Sequence, residues 1–205
     1  MPMTREETAE DYTRRVWLEA GKAKKALGQN YLIDTNIINQ IVWEGIPPGD
    51  FPLVEIGSGP GTLTRELLKR SPDLWAVELD KQKVEFLQKE FSGHSLKVLH
   101  MDALKLNLED LWGRKKGWLV GNLPYYAANP LLAHFLGQAE FLRGMTVMVQ
   151  KEVADRIIAV PGSKNFGILS ISVQIYAQVS KLVEVPPSAF IPQPKVTSAV
   201  LMLTI

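Results

Sequence analysis

A doubly wound α/β fold, with a mostly parallel sheet and an antiparallel pair at one edge, is what this 205-residue sequence predicts. Three observations predict it. Short apolar runs alternate with amphipathic stretches of about ten residues, the pattern of right-handed crossovers beneath a sheet covered on both faces. The first run, FPLVEIG, opens directly into a glycine-rich turn and then a helical pattern. The last two runs are joined only by a proline-rich loop, so they can pair antiparallel.

Taken in order, residues 1–20 are charged from the outset and read as a polar helix or a disordered arm. From 34 the pattern sharpens: Asp34 is a candidate N-cap, Ile37, Ile38, Ile41 and Val42 form one stripe, and Gly45 stops it. Residues 51–57 read as a buried strand bounded by proline and glycine, and 62–70 as a helix with Leu63, Leu67 and Leu68 in register. The alternation continues with a strand at 74–79, a helix at 80–91 carrying Val84, Leu87 and Phe91, and strands at 96–101 and 118–121. A helix beginning at Pro130, where proline is tolerated, leads to a strand at 145–150 and a helix at 151–160. Residues 182–185 and 198–205 are the closing strands, with the loop PPSAFIPQPKV between them.

Composition excludes several classes of function. At 46% hydrophobic and 22% charged the chain has the make-up of an ordinary soluble globular protein. No apolar run approaches the ~20 residues that span a bilayer, and the N-terminus lacks a signal-peptide apolar block. The absence of cysteine removes disulfides, iron–sulfur ligation, thiol catalysis and thiolate-rich zinc sites. His94, His100 and His134 are too far apart in sequence to suggest a metal site. These features predict a cytoplasmic protein that works without a metal or a membrane. The net charge of +1 carries no global nucleic-acid signal. Two local clusters, Lys22, Lys24 and Lys25, then Arg114, Lys115 and Lys116, could touch phosphates or form solvated loops.

The candidate site lies at the carboxyl ends of the predicted strands, where open α/β sheets bind ligands. Gly57, Gly59 and Gly61 follow the first strand in a G-x-G-x-G spacing, preceded by Glu55. Such glycines let the backbone turn sharply and approach a ligand, although a bend of this kind can also merely connect strand to helix. About twenty residues on, the next strand ends in VELD and places Glu78 where a carboxylate accepts from both ribose hydroxyls. Asp80 reads better as the cap of the following helix. The third strand ends in HMDA, so Asp102 shares the rim and could receive an adenine amino group. Together these residues predict an adenosine-bearing cofactor. The fourth strand ends in GNLPYY: Asn122 offers a side-chain carbonyl, Leu123 a backbone carbonyl held extended by Pro124, and Tyr125 a ring. Two acceptors aimed at one exocyclic –NH₂ would engage both its hydrogens, while the ring stacks on a planar base.

The blocks KKALGQNYLID, EIGSGPGTLT, VELD, MDAL, GNLPYY, VQKEVADRI and PPSAFIPQPKVTSAV, seven in order from about residue 22 to the end, resemble the ribosomal RNA adenine dimethyltransferases, the KsgA family. The resemblance implies a seven-stranded, Rossmann-like methyltransferase sheet over 22–205, an N-terminal arm over 1–21, and transfer of methyl groups from S-adenosyl-L-methionine to N6 of adenine. It implies cofactor contacts at Gln29, Asn30, Leu32, Gly57, Gly59, Glu78, Asp102 and Asn122. It also implies a target corner of Asn122, Leu123, Pro124 and Tyr125. Phe190 matches an aromatic that sandwiches an extruded adenine against Tyr125; the alternative is a loop anchor beneath the prolines. Lys195 could contact phosphate or cap a carbonyl.

The implied partner is small-subunit ribosomal RNA or the assembling small subunit, met by a monomer in the cytoplasm. Some blocks are shared with resistance methyltransferases acting on large-subunit RNA; 149–171 and 185–200 look closer to the small-subunit enzyme. Two departures stand out. Tyr126, Ala127 and Ala128 replace the family's usual Asn-Ile-Ser after NLPY, which puts the neighbouring loop's shape in doubt, and the family's helical C-terminal domain is absent from this sequence. The implied reaction is in-line displacement at a sulfonium methyl, driven chiefly by positioning. Competing readings keep the acceptor corner for DNA adenine or a glutamine amide, or make the chain a ribosome-assembly or mitochondrial nucleic-acid-binding factor with incidental catalysis.

Overall fold

The structure, a computed structural model, describes residues 7–17, 19–24 and 27–205. In chain order it contains helix α1 (Ala9–Val16), strand β1 (Tyr31–Leu32), α2 (Thr35–Asn39, continued by a π-helical turn Gln40–Glu44), β2 (Leu53–Ile56), α3 (Thr62–Arg70), β3 (Leu74–Glu78), α4 (Lys81–Glu90) and β4 (Lys97–His100). There follow α5 (Leu108–Trp112), β5 (Gly117–Asn122), α6 (Ala128–Leu136), β6 (Leu142–Gln150), α7 (Lys151–Ile157), α8 (Ile168–Gln174), β7 (Gln178–Val185), β8 (Phe190–Ile191) and β9 (Ser198–Thr204). Seven strands form one sheet in the order β4-β3-β2-β5-β6-β9-β7. The first five run parallel; β9 inserts antiparallel between β6 and β7, which gives the expected antiparallel pairing at that edge.

The strand sequences dictate how the sheet is covered. Side chains alternate across a strand, so in β5 Leu119 enters one face while Trp118 and Val120 enter the other. On the first face Leu119, Val147 and Leu201 pack against Leu131, Leu132 and Phe135 of α6. On the second, Leu53, Trp118 and Met148 pack against Ile38, Ile41 and Leu67. Each such side chain, fully buried, contributes about 1.5–3 kcal/mol. Trp118 keeps its indole N–H satisfied by donating to the Thr146 hydroxyl, 2.9 Å away.

Local signals fix the element ends. The Asp34 carboxylate accepts from the N–H groups of Asn36 and Ile37 at 2.9 and 3.1 Å, and so starts α2. Asp80 caps α4 through the Gln82 N–H at 3.1 Å, which bears out the capping reading. Pro130 sits in the first turn of α6, two residues inside the helix start rather than at it.

Several elements go beyond the sequence-based expectation. Helix α1 is docked on the domain: its Tyr12 and Val16, with Ala20, pack against Phe86 and Leu87 of α4 and Phe91 at its C-terminal end. The PPSAFIP segment, read as plain loop, contains β8, which pairs with β1 in a separate two-stranded ladder. Helix α8 was not foreseen because Ile168, Ile171 and Ile175 face solvent, Ile168 at 85% exposure, so its apolar pattern does not mark a buried stripe. Among the described residues, no helix is long and apolar enough to cross a membrane.

Candidate active site

A cavity of about 180 Å³ opens at the carboxyl ends of β2, β3 and β5. It lies where the chain order reverses: β3 and β4 extend one way from β2, β5 and β6 the other. That reversal is the crevice in which doubly wound sheets receive ligands.

Its floor is the turn after β2. Gly57 and Gly59 both line the cavity, with φ of +74° and +55°. A β-carbon on Gly59 would come within 3.0 Å of the Tyr31 ring, so the turn needs glycine for its conformation and for its close approach to Tyr31. Gly61, at φ +88°, serves a different purpose. It lies outside the cavity, and a β-carbon there would meet Phe91 at 2.6 Å and Leu87 at 2.8 Å.

Glu78 ends β3 beside this turn. Its two oxygens accept the N–H groups of Gly59 and Asp80, each at 2.8 Å. A carboxylate offers about four acceptor positions, so capacity remains toward the cavity. Burial raises the Glu78 carboxyl above its ordinary pKa, and the backbone N–H groups pull the other way. Asp102, at the end of β4, lines the same cavity; one oxygen caps the following turn through Leu104 N–H at 3.0 Å. Leu79 and Leu104, both unusually exposed for leucine, flank the two carboxylates. Sequence reasoning passed over these leucines although each lies within two residues of a predicted carboxylate. Tyr31, also unforeseen, completes the wall.

The segment before β1 closes the cavity from above. Gln29 Oε1 accepts both the Lys24 N–H and the Tyr31 hydroxyl at 2.8 Å. The Lys24 ammonium reaches Asp80 at 2.8 Å. Burial alone would raise the Asp80 carboxyl, but Lys24 and the Gln82 N–H outweigh it and hold it below its ordinary value. Lys25 of the same predicted cationic cluster lies outside the described residues.

Asn122 ends β5 at the cavity's other lip. Its Nδ2 donates to the backbone carbonyl of Asn30 at 2.8 Å. A carbonyl can only accept, so the amide nitrogen must face Asn30, and Oδ1 is left as the outward acceptor. Leu123, Pro124 and Tyr125 line the cavity beside it. The Tyr125 hydroxyl is anchored on Ser198 at 2.8 Å, and burial pushes the phenol up while Ser198 opposes that shift. Tyr126, in the segment that departs from the family pattern, also lines the cavity and lies against Gly28.

The structure thus brings together Gln29, Asn30, Gly57, Gly59, Glu78, Asp102, Asn122, Leu123, Pro124 and Tyr125 around one cavity. Two expected members are elsewhere. Leu32 points into the apolar core, and its strand neighbour Tyr31 takes the cavity position. Phe190 is only 1% exposed, paired with Leu32 across the β1–β8 ladder and packed with Ile38 and Val200. In this structure its ring lies among core residues, as an anchor beneath the prolines would, and does not line the cavity with Tyr125. A residue's facing across so short a ladder depends on pairing with a segment more than a hundred residues away, which no local pattern encodes. Among the described residues no cluster of histidines and carboxylates could hold a metal ion.

The chain has clear relatives. A family model described as ribosomal RNA adenine dimethylase matches residues 20–205. Ribosomal RNA small subunit methyltransferase A of Desulfitobacterium hafniense (strain DSM 10664 / DCB-2) is 56% identical over 194 residues, which cover 95% of this chain and 70% of that protein. Among solved structures, a dimethyladenosine transferase from Plasmodium falciparum superposes with a TM-score of 0.75 at 27% identity, covering 84% of this chain and 62% of that one. The 23S rRNA methyltransferase ErmE gives 0.73 at 27% identity, over 85% of this chain and 69% of that one.

Proposed function

This chain belongs to the ribosomal RNA adenine dimethylase family, and from that membership we propose that it transfers methyl groups from S-adenosylmethionine to N6 of adenines in small-subunit ribosomal RNA. The relative at 56% identity is a small-subunit methyltransferase, which favours that RNA over the large-subunit substrate named for ErmE. The setting that fits is the cytoplasm, beside the assembling small subunit.

The residues present suit the cofactor. Glu78 keeps acceptor capacity for a ribose, Asp102 for an amino group on a base, and Leu79 and Leu104 offer apolar walls for a flat ring. Bound there, S-adenosylmethionine would supply a methyl already activated on a sulfonium, so no metal or protein nucleophile is required. The observation that carries the reading is the Asn122 amide, whose orientation is fixed by Asn30. Its Oδ1 accepts one hydrogen of the target amine, and the Leu123 carbonyl is the second acceptor. Both dipoles stabilise positive charge as it grows on the nitrogen. Tyr125, fixed by Ser198, supplies the stacking ring. A base stacked within a helix cannot reach this corner, so the substrate adenine is unpaired or extruded.

Two measurements test the proposal. Radiolabelled methyl transfer is expected into small-subunit RNA and not into DNA or protein. Asn122→Ala is expected to lower kcat by about 10²-fold or more while leaving the dissociation constant for S-adenosylmethionine nearly unchanged. Equal losses in turnover and cofactor affinity would refute the acceptor role.

A further inference from the structure

Helix α6 is entered through a tight turn that carries two tyrosines side by side. The Ala127 N–H donates to the Pro124 carbonyl at 2.9 Å, so Tyr125 and Tyr126 are the turn's central residues. Both line the cavity, yet the two rings are held on different flanks. The Tyr125 hydroxyl goes to Ser198 at the start of β9. The Tyr126 ring goes to the segment before β1. A β-carbon built on Gly28 would stand 3.4 and 3.5 Å from two carbons of that ring, and 3.6 Å from Pro124. Gly28, at φ +62°, thus presents bare backbone to the ring.

Tyr126 is 62% exposed, and its hydroxyl makes no hydrogen bond among the described residues. A ring left so open adds little to the core. What it touches, however, leads to Asn122 in two steps. The Asn30 side-chain amide donates to the Gly28 carbonyl at 3.2 Å. The Asn30 backbone carbonyl in turn accepts from the Asn122 amide at 2.8 Å. The neighbouring residue of the segment is secured without Tyr126. Gln29 accepts from the Lys24 N–H and the Tyr31 hydroxyl, and the Lys24 ammonium reaches Asp80.

We infer that Tyr126 is a positioning residue for methyl transfer: packed on Gly28, it keeps the Asn30 carbonyl where that carbonyl fixes Asn122 with Oδ1 outward. The inference rests on the acceptor role proposed for Asn122 and deepens it. Without the ring, residues 28–30 lose their cover on one side, and the Asn122 amide gains freedom to rotate. Its Oδ1 then spends less time toward the target amine. Gln29 keeps its own partners, so the cofactor side of the segment stays in place. The defect therefore belongs to turnover and not to binding. Misplacing a reacting group by about 1 Å can cost roughly 10²-fold in rate, and an acceptor that is loosened but still present should cost less.

The test uses the full chain, Tyr126→Ala, Tyr126→Phe, Asn122→Ala and the double alanine variant. In the cofactor-free protein, nitrogen–proton correlation spectra read the Asn122 side-chain amide directly, its signals being identified by their loss in Asn122→Ala. Tyr126→Ala is expected to move these signals toward those of an unbonded amide, and Tyr126→Phe to leave them in place. Methyl transfer is followed into an adenine-containing single-stranded RNA oligonucleotide. Tyr126→Ala should lower kcat about tenfold, with KM for RNA and the dissociation constant for S-adenosylmethionine unchanged, and Tyr126→Phe should restore kcat. In the Asn122→Ala background the same truncation should cost less than about twofold, because changes along one path do not add. Melting temperatures should agree within about 2 °C, since the ring is exposed.

An Asn122 signal that stays put in Tyr126→Ala overturns the inference. Additive losses in kcat also overturn it, since they would give the ring a role independent of Asn122, such as stacking on the base. A raised KM for RNA at unchanged kcat does the same and places the ring on the RNA, and a phenylalanine variant as poor as the alanine one assigns the effect to the hydroxyl. A moved signal in a parent that methylates no RNA would support the path from Tyr126 to Asn122 and overturn the enzyme reading beneath it, so the two failures are told apart.

Discussion

Glu55 shows how a single side chain can tie this protein's stability to pH. It is 2% exposed beneath the glycine turn, its Oε2 accepting from the Thr64 hydroxyl at 2.5 Å. Burial drives its pKa from 4.5 up to about 7, against the pull of Thr64 and Ser58. A carboxyl whose folded pKa exceeds its unfolded value loses its stabilising contribution as pH rises, because the unfolded chain ionises first. The loss therefore runs from about pH 4.5 to about pH 7 and reaches roughly 3 kcal/mol. Glu55→Gln keeps an acceptor for Thr64 and removes the titration. The variant should match the parent in thermal melts at pH 4.5 and exceed it at pH 8; parallel curves at both would remove the mechanism. Residue-scale legibility followed the same division. Glu78, Asp102 and Asn122 could be read because a strand end and a polar residue are both local features. Phe190 was readable only in part, because whether an aromatic faces a cavity or a core is decided by what packs on it.

At the scale of elements, the turn between β2 and α3 asks different things of its glycines. Gly61 must be left-handed, and its missing β-carbon admits Phe91 and Leu87, both buried. Gly61→Ala combines a left-handed alanine with overpacking and should cost about 3 kcal/mol of stability. Below the melting transition its cofactor affinity should stay within about threefold of the parent, since Gly61 does not line the cavity. Gly59→Ala instead presses on the Tyr31 ring, a cavity wall, and should weaken S-adenosylmethionine binding about tenfold in calorimetry. A reversal of these two effects would show that the turn's roles have been misassigned. The long elements were visible in the sequence because period-2 and helical patterns mark a buried face. The two-residue strands β1 and β8 carry no period at all, and α8 turns three isoleucines outward, so its pattern points away from the core it joins.

For the whole molecule, the reversal between β2 and β5 divides one rim in two, with Glu78 and Asp102 on one side and Asn122, Leu123, Pro124 and Tyr125 on the other. The N-terminal helix braces the glycine turn beside Glu78. Tyr12 is buried between the guanidinium groups of Arg15 and Arg65, 5.1 and 4.8 Å from its ring, and its hydroxyl donates to the Pro60 carbonyl within the glycine turn at 3.0 Å. Thr13 and Thr62 share a hydroxyl bond of 2.8 Å at the start of α3. Further along, the wholly buried Lys83 ammonium donates to the carbonyls of Ala20 and Gly21, which fastens the chain just before it crosses the cavity. Burial pushes that lysine's pKa down, so its hold on these carbonyls is the compensation for a charge kept from water. A chain beginning at residue 20 would keep the sheet and the first core, remove Ala9 from the second, and uncover Phe86, Leu87 and Phe91. After allowance for the entropy of ordering the helix, the loss should be roughly 3 kcal/mol, or about 6–12 °C in Tm for a protein of this size. S-adenosylmethionine affinity should fall with it, because Pro60 loses its tether beside Gly59 and Gly61. Calorimetry on both chains reads melting and binding together. A lowered Tm with unchanged affinity would make α1 a cover for α4 and nothing more, whereas a fall in both would show that the helix helps to hold the glycine turn in its binding conformation.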